Sequence, residues 1–517
     1  IQWRRGIIKA VPTALILNRK RCGRYKGRLV VLGNRWVPDG ENNVYASVVS
    51  QVGNRATLIH AAKLGMEVIP FDIGNAFIRA SMNDLKVVVT IPETFRDTDK
   101  ADNGRRMLLK ALYGLPVSPR IWAKCLGKDL KELGWVECIN EPGVWRKHSP
   151  QGNIIGYLTV YVDDCVLCAK DQTAVESELK LIHDKHPLTQ IPCTPTSKGG
   201  KQFDLTGADI EYTAALNTVK ISMGNYIRKL LKKYDMMGST PLATPSFEEK
   251  TLYDKNAKLS EFPYKSAIGA LQWACTCARP DLAHSVNMLA RAGANPCTSS
   301  MAKCVRIVFR YLVGTIDYAI EYSPENEAAY YKEYYRIATE ESENASWQRD
   351  AEQAKKPLHL FTDASFGVEF KTMKSVSGIA VFLHGTIVAW RSKVQSIMTN
   401  CTTQSEWVSL SEGLEYSSTI YGLKSFLTGS SESDPLDGAI FNDNRGAALI
   451  GRKGPDGIDE IPRKSRHICL RHAAVLQEHK RLFWCPTGQM LADGLTKSGN
   501  AAALKALFSP PKPHITV

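Results

Sequence analysis

The stretch YLTVYVDDC, residues 157–165, decides the fold, because it sets two adjacent carboxylates into a run with the composition of a buried strand. The carboxylates belong to Asp163 and Asp164. An ionised carboxylate that leaves water without a partner carries a large free-energy penalty. The pair therefore requires a cation to compensate its charge.

The segments on either side of the aspartates predict a β-hairpin. YLTVYV and CVLCAK both have strand-like composition, and the DD pair between them indicates the tip. Neighbouring side chains of a regular strand point to opposite faces, so Asp163 and Asp164 could share an ion only where the strand turns. We therefore expect both acids at an accessible rim.

A third acid is expected, because Mg²⁺ prefers octahedral oxygen coordination and one hairpin supplies too few ligands. VIPFDIGNAF offers Asp72 directly after another apolar strand. Adjacent strands lie about 4.8 Å apart, so pairing of these strands would bring three carboxylates together. Such a cluster can hold two ions about 4 Å apart, the arrangement used in phosphoryl transfer. We predict two Mg²⁺ ions here, with Mn²⁺ as an alternative.

Composition indicates a packed, basic protein with a polyanionic partner. The 517 residues allow about three or four domains, and 66 Lys and Arg against 52 Asp and Glu leave a net charge of +14. This charge suits nucleic acid or an acidic membrane surface. Because no apolar run approaches the roughly 18 residues of a membrane span and no signal peptide is recognisable, we expect an intracellular protein without a membrane segment.

Cysteine usage favours a reducing compartment. The 13 cysteines are scattered and odd in number, so a complete disulfide framework is excluded. Cys165 and Cys168 have CxxC spacing, but no matching second pair follows. We interpret both as strand core rather than as zinc ligands.

The order of predicted elements is that of a multidomain α/β (α+β) protein. A helix should follow Pro119 and end near Gly134, where proline and glycine favour helix ends. Residues 323–357 carry 8 acids against 5 bases and end in proline, which predicts a linker or an inserted helix.

A second set of acids lies in the last third of the chain. Asp363 follows the alternating strand of LHLFTDASFG, Glu406 borders the apolar stripe of a helix, and Asp443 follows the strand of AIFNDNRGAAL. Asp493 in TGQMLADGLTK completes the set. Each acid alone is more often a surface residue or a cap, whereas four acids, each at a strand end or beside an apolar stripe, form a second constellation of carboxylates.

Ordered blocks of the chain resemble the reverse transcriptases of copia-type LTR retrotransposons (Pseudoviridae). The blocks are RYKGRLVVLG, FDIGNAF, KALYGLPVSPRIW and YVDD, and the similarity runs from about residue 24 to 322. The resemblance implies a right-hand polymerase with fingers and palm in 1–215 and a thumb in 216–255. It also implies a connection region and linker in 256–355 and an RNase H-like domain in 356–517.

The resemblance also implies roles for single residues. Asp72 and Asp163 would bind metal, with Asp164 in a supporting role. Phe77 would lie beneath the incoming sugar and exclude a 2′-hydroxyl, although a core position is the ordinary alternative for a phenylalanine. Lys26 and Arg28 would bind triphosphate, and the sequence does not decide between the two.

The last domain resembles RNase H, which implies that Asp363, Glu406, Asp443 and Asp493 bind two Mg²⁺ ions. Many RNase H enzymes place a histidine in the loop before the final acid, whereas this chain has Thr487. Relatives also usually carry glutamine where this chain has Val117.

Together these features predict an RNA- and DNA-dependent DNA polymerase that also degrades RNA in RNA–DNA hybrids. Its partners would be an RNA template, a DNA primer, the hybrid and dNTPs, with a homodimer or an integrase as further partners. The expected compartment is a cytoplasmic virus-like particle or the nucleus. Two alternatives are an inactive or domesticated nucleic-acid-binding relic of this family and an enzyme of the bacterial or group II intron type. The second alternative fits poorly because such enzymes lack the RNase H region.

Overall fold

The computed structural model describes residues 9–19, 25–36, 44–82, 85–96, 103–343, 350–430, 437–451 and 469–509. Their contacts divide the chain into two compact units. The first unit falls within Ile1–Ser50, Ile69–Cys138 and Pro142–Ile191, and the second within Gln51–Val68, Ile139–Glu141 and Pro192–Val517.

The strands of the described residues are numbered in chain order. They are β1 (Val11–Arg19), β2 (Tyr25–Val31), β3 (Glu67–Ile73), β4 (Val88–Thr90), β5 (Arg105–Met107), β6 (Trp135–Glu137), β7 (Val144–His148), β8 (Ile154–Tyr161), β9 (Asp164–Ala169), β10 (Leu188–Gln190), β11 (Thr194–Pro195), β12 (Lys201–Leu205), β13 (Ala208–Thr213), β14 (Thr218–Ser222), β15 (Ala319–Tyr322), β16 (Leu358–Ser365), β17 (Val376–Leu383), β18 (Thr386–Val394), β19 (Ile440–Asn442) and β20 (Leu482–Trp484).

The α-helices are numbered in the same way. They are α1 (Gln51–Lys63), α2 (Ala76–Arg79), α3 (Ser118–Glu132), α4 (Gln172–Lys185), α5 (Gly224–Lys233), α6 (Tyr264–Ala278), α7 (Ala283–Ala292), α8 (Ser299–Gly314), α9 (Pro324–Glu343), α10 (Thr402–Thr428), α11 (Arg445–Gly451), α12 (Cys469–Leu476) and α13 (Ala501–Ala506). Within the described ranges no helix has the length and apolarity needed to cross a bilayer.

The first unit contains two sheets. One has the strand order β2-β1-β4-β5, and the other has the order β10-β3-β9-β8-β7-β6. Helix α3 packs against the larger sheet through Trp122, Leu126 and Leu130, which recur every four residues and form one buried stripe. It starts at Ser118 and is followed by Gly134 with a φ of 87°, so its predicted ends are confirmed. Cys165 and Cys168 are buried, as predicted for strand core.

The second unit contains two further sheets, each of five strands. Their strand orders are β11-β12-β13-β14-β15 and β18-β17-β16-β19-β20. In the latter sheet β16, β17 and β18 are antiparallel, whereas β16, β19 and β20 are parallel. Parallel strands end at the same edge of a sheet, so the ends of β16 and β19 come together. Gly413 lets α10 approach β16 closely, because a Cβ there would lie 2.6 Å from Thr362 Cγ2.

The acidic segment that the sequence left as a linker or a helix contains helix α9. Tyr330 and Tyr334 of α9 are buried. The Tyr334 hydroxyl donates to the Gln489 carbonyl oxygen at 2.8 Å, and its ring contacts Phe361 of β16 at 4.9 Å. Helix α9 therefore covers one face of the sheet that contains β16. This explains why β16, predicted to alternate between buried and exposed residues, is buried along both faces.

Helix α1 is held in the second unit by the buried side chain of Arg55. Its guanidinium donates to the carbonyl oxygens of Val388, Thr276 and Cys277 at 2.7 to 2.8 Å and lies 4.2 Å from the Trp390 ring centroid. Burial lowers the Arg55 pKa to about 10. The predicted domain boundary at 215 would assign α1 to the polymerase region, and the three domain boundaries stay predictions.

Candidate active sites

The hairpin formed by β8 and β9 presents the first pair of acids. Tyr161 pairs with Asp164, so Val162 and Asp163 form the two-residue turn and Asp164 begins β9. Val162 has a φ of 61°, a strained conformation for a β-branched residue. The Trp122 indole Nε1 donates to the Val162 carbonyl oxygen at 2.7 Å. This hydrogen bond from α3 fixes the turn that carries Asp163.

Strand β3 brings Asp72 to the same turn. β3 is the neighbour of β9 in the sheet, and the Ile73 amide donates to the Asp163 carbonyl oxygen at 2.9 Å. Carboxylate oxygens of Asp72, Asp163 and Asp164 lie within 4.8 Å of one another, and all three residues are half-buried. The expected convergence of these three acids is thus present in the structure.

Tyr113, which the sequence reasoning missed, lies beside this cluster. Burial raises the pKa of Tyr113, Asp163 and Asp72 raise it further, and Arg28 opposes the shift. The Tyr113 ring contacts Phe77 edge-on with 4.9 Å between centroids. Its place in the KALYGLPVSPRIW block was the signal that could have identified it.

Arg28 and Phe77 both contact Tyr113, whereas Lys26 lies further along the strand. The Arg28 guanidinium carbon is 5.5 Å from the Tyr113 ring centroid. Lys26 is exposed two residues before Arg28 on β2, on the same face of the strand. Phe77 is half-buried and packs against both hydrophobic clusters of the first unit. The geometry therefore favours Arg28 as the cation nearer to the carboxylates.

Val117, which replaces the expected glutamine, is fully buried in the smaller hydrophobic cluster of the first unit. An apolar side chain enclosed in this way cannot make a polar contact with a template. The cluster also includes Val31 from β2 and Leu115.

The second site gathers three of its four predicted acids. Carboxylate oxygens of Asp363 on β16, Glu406 on α10 and Asp443 after β19 lie within 4.8 Å of one another. Asn442 Nδ2 donates to Glu406 Oε2 at 2.9 Å and to the Thr362 carbonyl oxygen at 3.0 Å. The end of β19 therefore positions the ligand candidate Asp443 and also supplies the Asn442 amide, which orients Glu406.

Asp493 does not belong to that set of converging oxygens. It begins a short 3₁₀ helix, Asp493–Leu495, and its Oδ1 accepts a hydrogen bond from Lys497 Nζ at 2.9 Å. Thr496, three residues after Asp493, donates its hydroxyl to Asp363 Oδ2. Lys497 and Thr496 were not identified from the sequence, although both lie in the quoted TGQMLADGLTK segment.

Asp443 is held by Trp484, at the end of β20, and by Thr487, which follows that strand. The Thr487 hydroxyl donates to Asp443 Oδ2 at 2.9 Å, and the Trp484 indole donates to the Asp443 carbonyl oxygen at 2.8 Å. Thr487, which lies in the loop where many RNase H enzymes carry a histidine, thus orients an acid of the site.

Burial and mutual repulsion raise the pKa values of the carboxylates in this cluster. Burial raises the pKa of Asp363 to about 6, and Asp443 adds to the shift. Burial and Asp363 raise the pKa of Glu406 well above its ordinary value. Burial also raises the pKa of Asp443, while the Thr487 hydrogen bond opposes the shift. A divalent cation would relieve this repulsion, and hard oxygen donors are the ligands that Mg²⁺ prefers. The residues present therefore fit a magnesium site.

Comparison with known families gives a match over the part of the chain that contains the first cluster. Residues 7–248 match the family described as reverse transcriptase (RNA-dependent DNA polymerase). The reverse transcriptase match includes β3, the β8–β9 hairpin and α3, and therefore all three acids of the first cluster.

Relatives of the chain extend the similarity beyond the reverse transcriptase match. The Retrovirus-related Pol polyprotein from transposon TNT 1-94 of Nicotiana tabacum is 25% identical over 75% of this chain and 27% of its own length. That from transposon RE2 of Arabidopsis thaliana is 25% identical over 92% of this chain and 30% of its own length. The Putative transposon Ty5-1 protein of Saccharomyces cerevisiae is 24% identical over 66% of this chain and 98% of its own length.

The chain spans less than a third of the length of the two Pol polyproteins. The resemblance to copia-type retrotransposon reverse transcriptases is confirmed by these matches.

Proposed function

We propose that this chain copies RNA and DNA into DNA at the first carboxylate cluster and cleaves the RNA strand of RNA–DNA hybrids at the second. The observation that carries the proposal is the convergence of Asp72, Asp163 and Asp164 at a strained turn, inside residues that match the reverse transcriptase family.

Both clusters suit divalent cations. Asp72 and Asp163 would hold the ions of the first site, with Asp164 in support. When two Mg²⁺ ions, or Mn²⁺ in their place, are bound, they stabilise the attacking and leaving oxygens of phosphoryl transfer. The turn at Val162 then sets the position of the Asp163 carboxylate, and the Trp122 hydrogen bond keeps it there.

The neighbours of the first cluster select and hold the nucleotide. Arg28 would bind the triphosphate, since its guanidinium offers charge-assisted hydrogen bonds and lies beside Tyr113, whose pKa also responds to Asp163 and Asp72. Phe77 would lie beneath the sugar and exclude a 2′-hydroxyl, so dNTPs are preferred. Lys26 would add a weaker phosphate contact.

In the second cluster Asp363, Glu406, Asp443 and Asp493 would hold the ions that serve hydrolysis. Thr496, Asn442 and Thr487 orient three of these carboxylates through hydrogen bonds. Asp493 would join the set once its hydrogen bond with Lys497 is exchanged for an ion.

The larger arrangement follows the copia-type polymerases. Fingers and palm would occupy 1–215, the thumb 216–255, the connection region and linker 256–355, and RNase H 356–517. The nucleic-acid partners are the RNA template, the DNA primer and their hybrid. The reaction would take place in a cytoplasmic virus-like particle or in the nucleus, with a homodimer or an integrase as partner.

The experiment that tests this function is dNTP incorporation by the full chain on a primed RNA template and on a primed DNA template, with and without Mg²⁺. We expect Mg²⁺-dependent extension on both templates. Asp163→Asn should abolish it, whereas Asp184→Asn, at an exposed position of α4, should leave it unchanged. Absence of extension by the unsubstituted chain would favour the non-catalytic nucleic-acid-binding relic.

A further inference from the structure

The exposed side of α3 carries a row of basic residues that the polymerase site does not use. Arg120, Lys124, Lys128 and Lys131 recur at helical spacing, opposite the buried stripe of Trp122, Leu126 and Leu130. Because an α-helix rises 1.5 Å per residue, the row extends for about 16 Å. We call these four residues the basic row.

Cavities lie on both flanks of the basic row. One, of about 790 Å³, is lined by all four basic residues together with Tyr45 and Ser47. The other, of about 550 Å³, is lined by Arg120, Lys124 and Lys128 together with apolar residues that include Met82 and Leu85. The basic groups therefore lie along grooves rather than on a convex surface.

Acids of the described residues compensate little of the positive charge of the basic row. Among the residues that the structure describes, Lys128 alone of the four forms an ion pair, at 3.9 Å from Glu132. Glu132 also pairs with Lys185 at 2.5 Å. Glu137, the other acid lining the larger cavity, accepts the Gly143 amide at 3.1 Å. Both acids thus have other partners, and a polyanion is the complementary ligand.

Tyr45 indicates which polyanion fits. Its side chain lines the same cavity and is 64% exposed. An exposed aromatic ring beside a basic groove is the combination that holds single-stranded nucleic acid, since bases stack on the ring while phosphates track the cations. A lipid surface or an acidic protein would use the charges but would not require the ring in a groove.

We propose that the basic row and Tyr45 form a second nucleic-acid-binding surface, which holds a single-stranded stretch of RNA or DNA away from the carboxylate cluster. The proposal rests on the proposed function in one respect, that the chain acts on nucleic acid. The surface recognises the sugar–phosphate backbone and the base faces without reading their sequence.

The test is fluorescence anisotropy of the full chain with unprimed 15-nucleotide oligo(dT) and oligo(U) across a range of salt concentrations. The triple variant Lys124→Ala, Lys128→Ala, Lys131→Ala should weaken binding at least tenfold. It should also reduce the slope of log K against log salt by about 2, because each phosphate contact on a single strand contributes about 0.7. Tyr45→Ala should weaken binding about fivefold or more, and Tyr45→Phe should retain it.

A charge-matched control separates this surface from the overall charge. Lys170→Ala, Lys180→Ala, Lys198→Ala removes three cations from exposed positions elsewhere and should change affinity less than threefold. Equal losses in both triple variants, or unchanged oligonucleotide affinity in the basic-row variant, would overturn the proposal. Polyglutamate serves as an acidic protein-like probe. If the basic-row variant loses affinity for polyglutamate and for oligonucleotides equally, and Tyr45→Ala has no effect, the surface binds an acidic protein and the proposal is overturned.

The same variants distinguish this proposal from the proposed function. On a short primer–template without a long overhang, the basic-row variant should extend the primer at the unsubstituted rate. If the unsubstituted chain does not extend the primer, the proposed function is contradicted. Weakened oligonucleotide binding by the basic-row variant would still support the proposed second nucleic-acid-binding surface.

Discussion

The Trp122 indole Nε1 donates a hydrogen bond of 2.7 Å to the carbonyl oxygen of Val162. Val162 has a positive φ at the turn that carries Asp163, so one residue of α3 stabilises a strained backbone next to a candidate metal ligand. A conformation of this kind persists only where its surroundings fix it.

Trp122→Phe should therefore lower polymerase activity more than its effect on stability explains. We expect a loss of about 1 to 3 kcal/mol in the free energy of unfolding, because the Val162 carbonyl loses its buried partner. We also expect at least a tenfold fall in kcat for dNTP incorporation, with a smaller change in KM. Steady-state kinetics and thermal unfolding measure these effects.

Trp135→Phe is the matched control for that substitution. Trp135 is buried in the same hydrophobic cluster, and its Nε1 has no hydrogen-bond partner among the described residues. The substitution thus removes the same indole without removing a hydrogen bond. Similar losses of kcat in both variants would show that core volume, rather than the turn, accounts for the effect.

Arg28→Ala and Lys26→Ala should differ in their effect on nucleotide binding. Arg28 contacts Tyr113, whose pKa responds to Asp163 and Asp72, whereas Lys26 lies further along β2. We expect Arg28→Ala to raise the KM for dNTP at least tenfold and Lys26→Ala to raise it less than threefold. A larger effect at Lys26 would reverse the assignment of the triphosphate contact.

Asp363→Asn should stabilise the chain at neutral pH when divalent ions are removed with a chelator. In the folded state the pKa of Asp363 rises from 3.8 to about 6. Between these values the folded state binds more protons than the unfolded state, so the free energy of unfolding falls as pH rises. Each pKa unit corresponds to about 1.4 kcal/mol, so we expect a gain of about 1 to 3 kcal/mol at pH 7.

Thermal unfolding between pH 4 and pH 8 measures this effect, with Asp317→Asn at an exposed position as control. Mg²⁺ should raise the Tm of the unsubstituted chain more than that of Asp363→Asn. A variant that is less stable than the unsubstituted chain at pH 7 without metal would be inconsistent with the predicted repulsion.

Lys497→Met should tighten divalent-ion binding at the second cluster. Lys497 Nζ lies 2.9 Å from Asp493 Oδ1 and opposes the raised pKa of Asp363 and Asp443, so it competes with an ion for the same negative charge. We expect the Kd for Mn²⁺ to fall several-fold in calorimetric titrations made in an Asp163→Asn background. Lys505→Met, on the nearby helix α13, should leave the Kd unchanged, and weaker binding in Lys497→Met would contradict this role.

The sequence predicted the acids well because carboxylates inside apolar segments are rare and require compensation. Asp72, Asp163 and Asp164 follow from strand composition, and the register of the hairpin differs from the prediction by one residue only. The contacts of Trp122, Tyr113 and Thr487 were not predicted, because aromatic and hydroxyl residues are common in cores and loops. Their contacts depend on long-range packing, which has no local signal.

The lack of a local sequence signal for long-range packing also explains why the position of α9 and the pairing of Asp493 were not predicted. The polar composition of 323–357 allowed a linker, and only the tyrosines buried against β16 indicate the helix that covers the sheet. Asp493 was grouped with the other acids by resemblance, whereas the loop geometry pairs it with Lys497.

The most direct test of two separate carboxylate centres is to assay Asp163→Asn and Asp363→Asn for both activities in the full chain. We predict that Asp163→Asn loses dNTP incorporation by at least a thousandfold and retains cleavage of the RNA strand of a hybrid, while Asp363→Asn shows the opposite pattern. Loss of both activities in each variant would contradict the account.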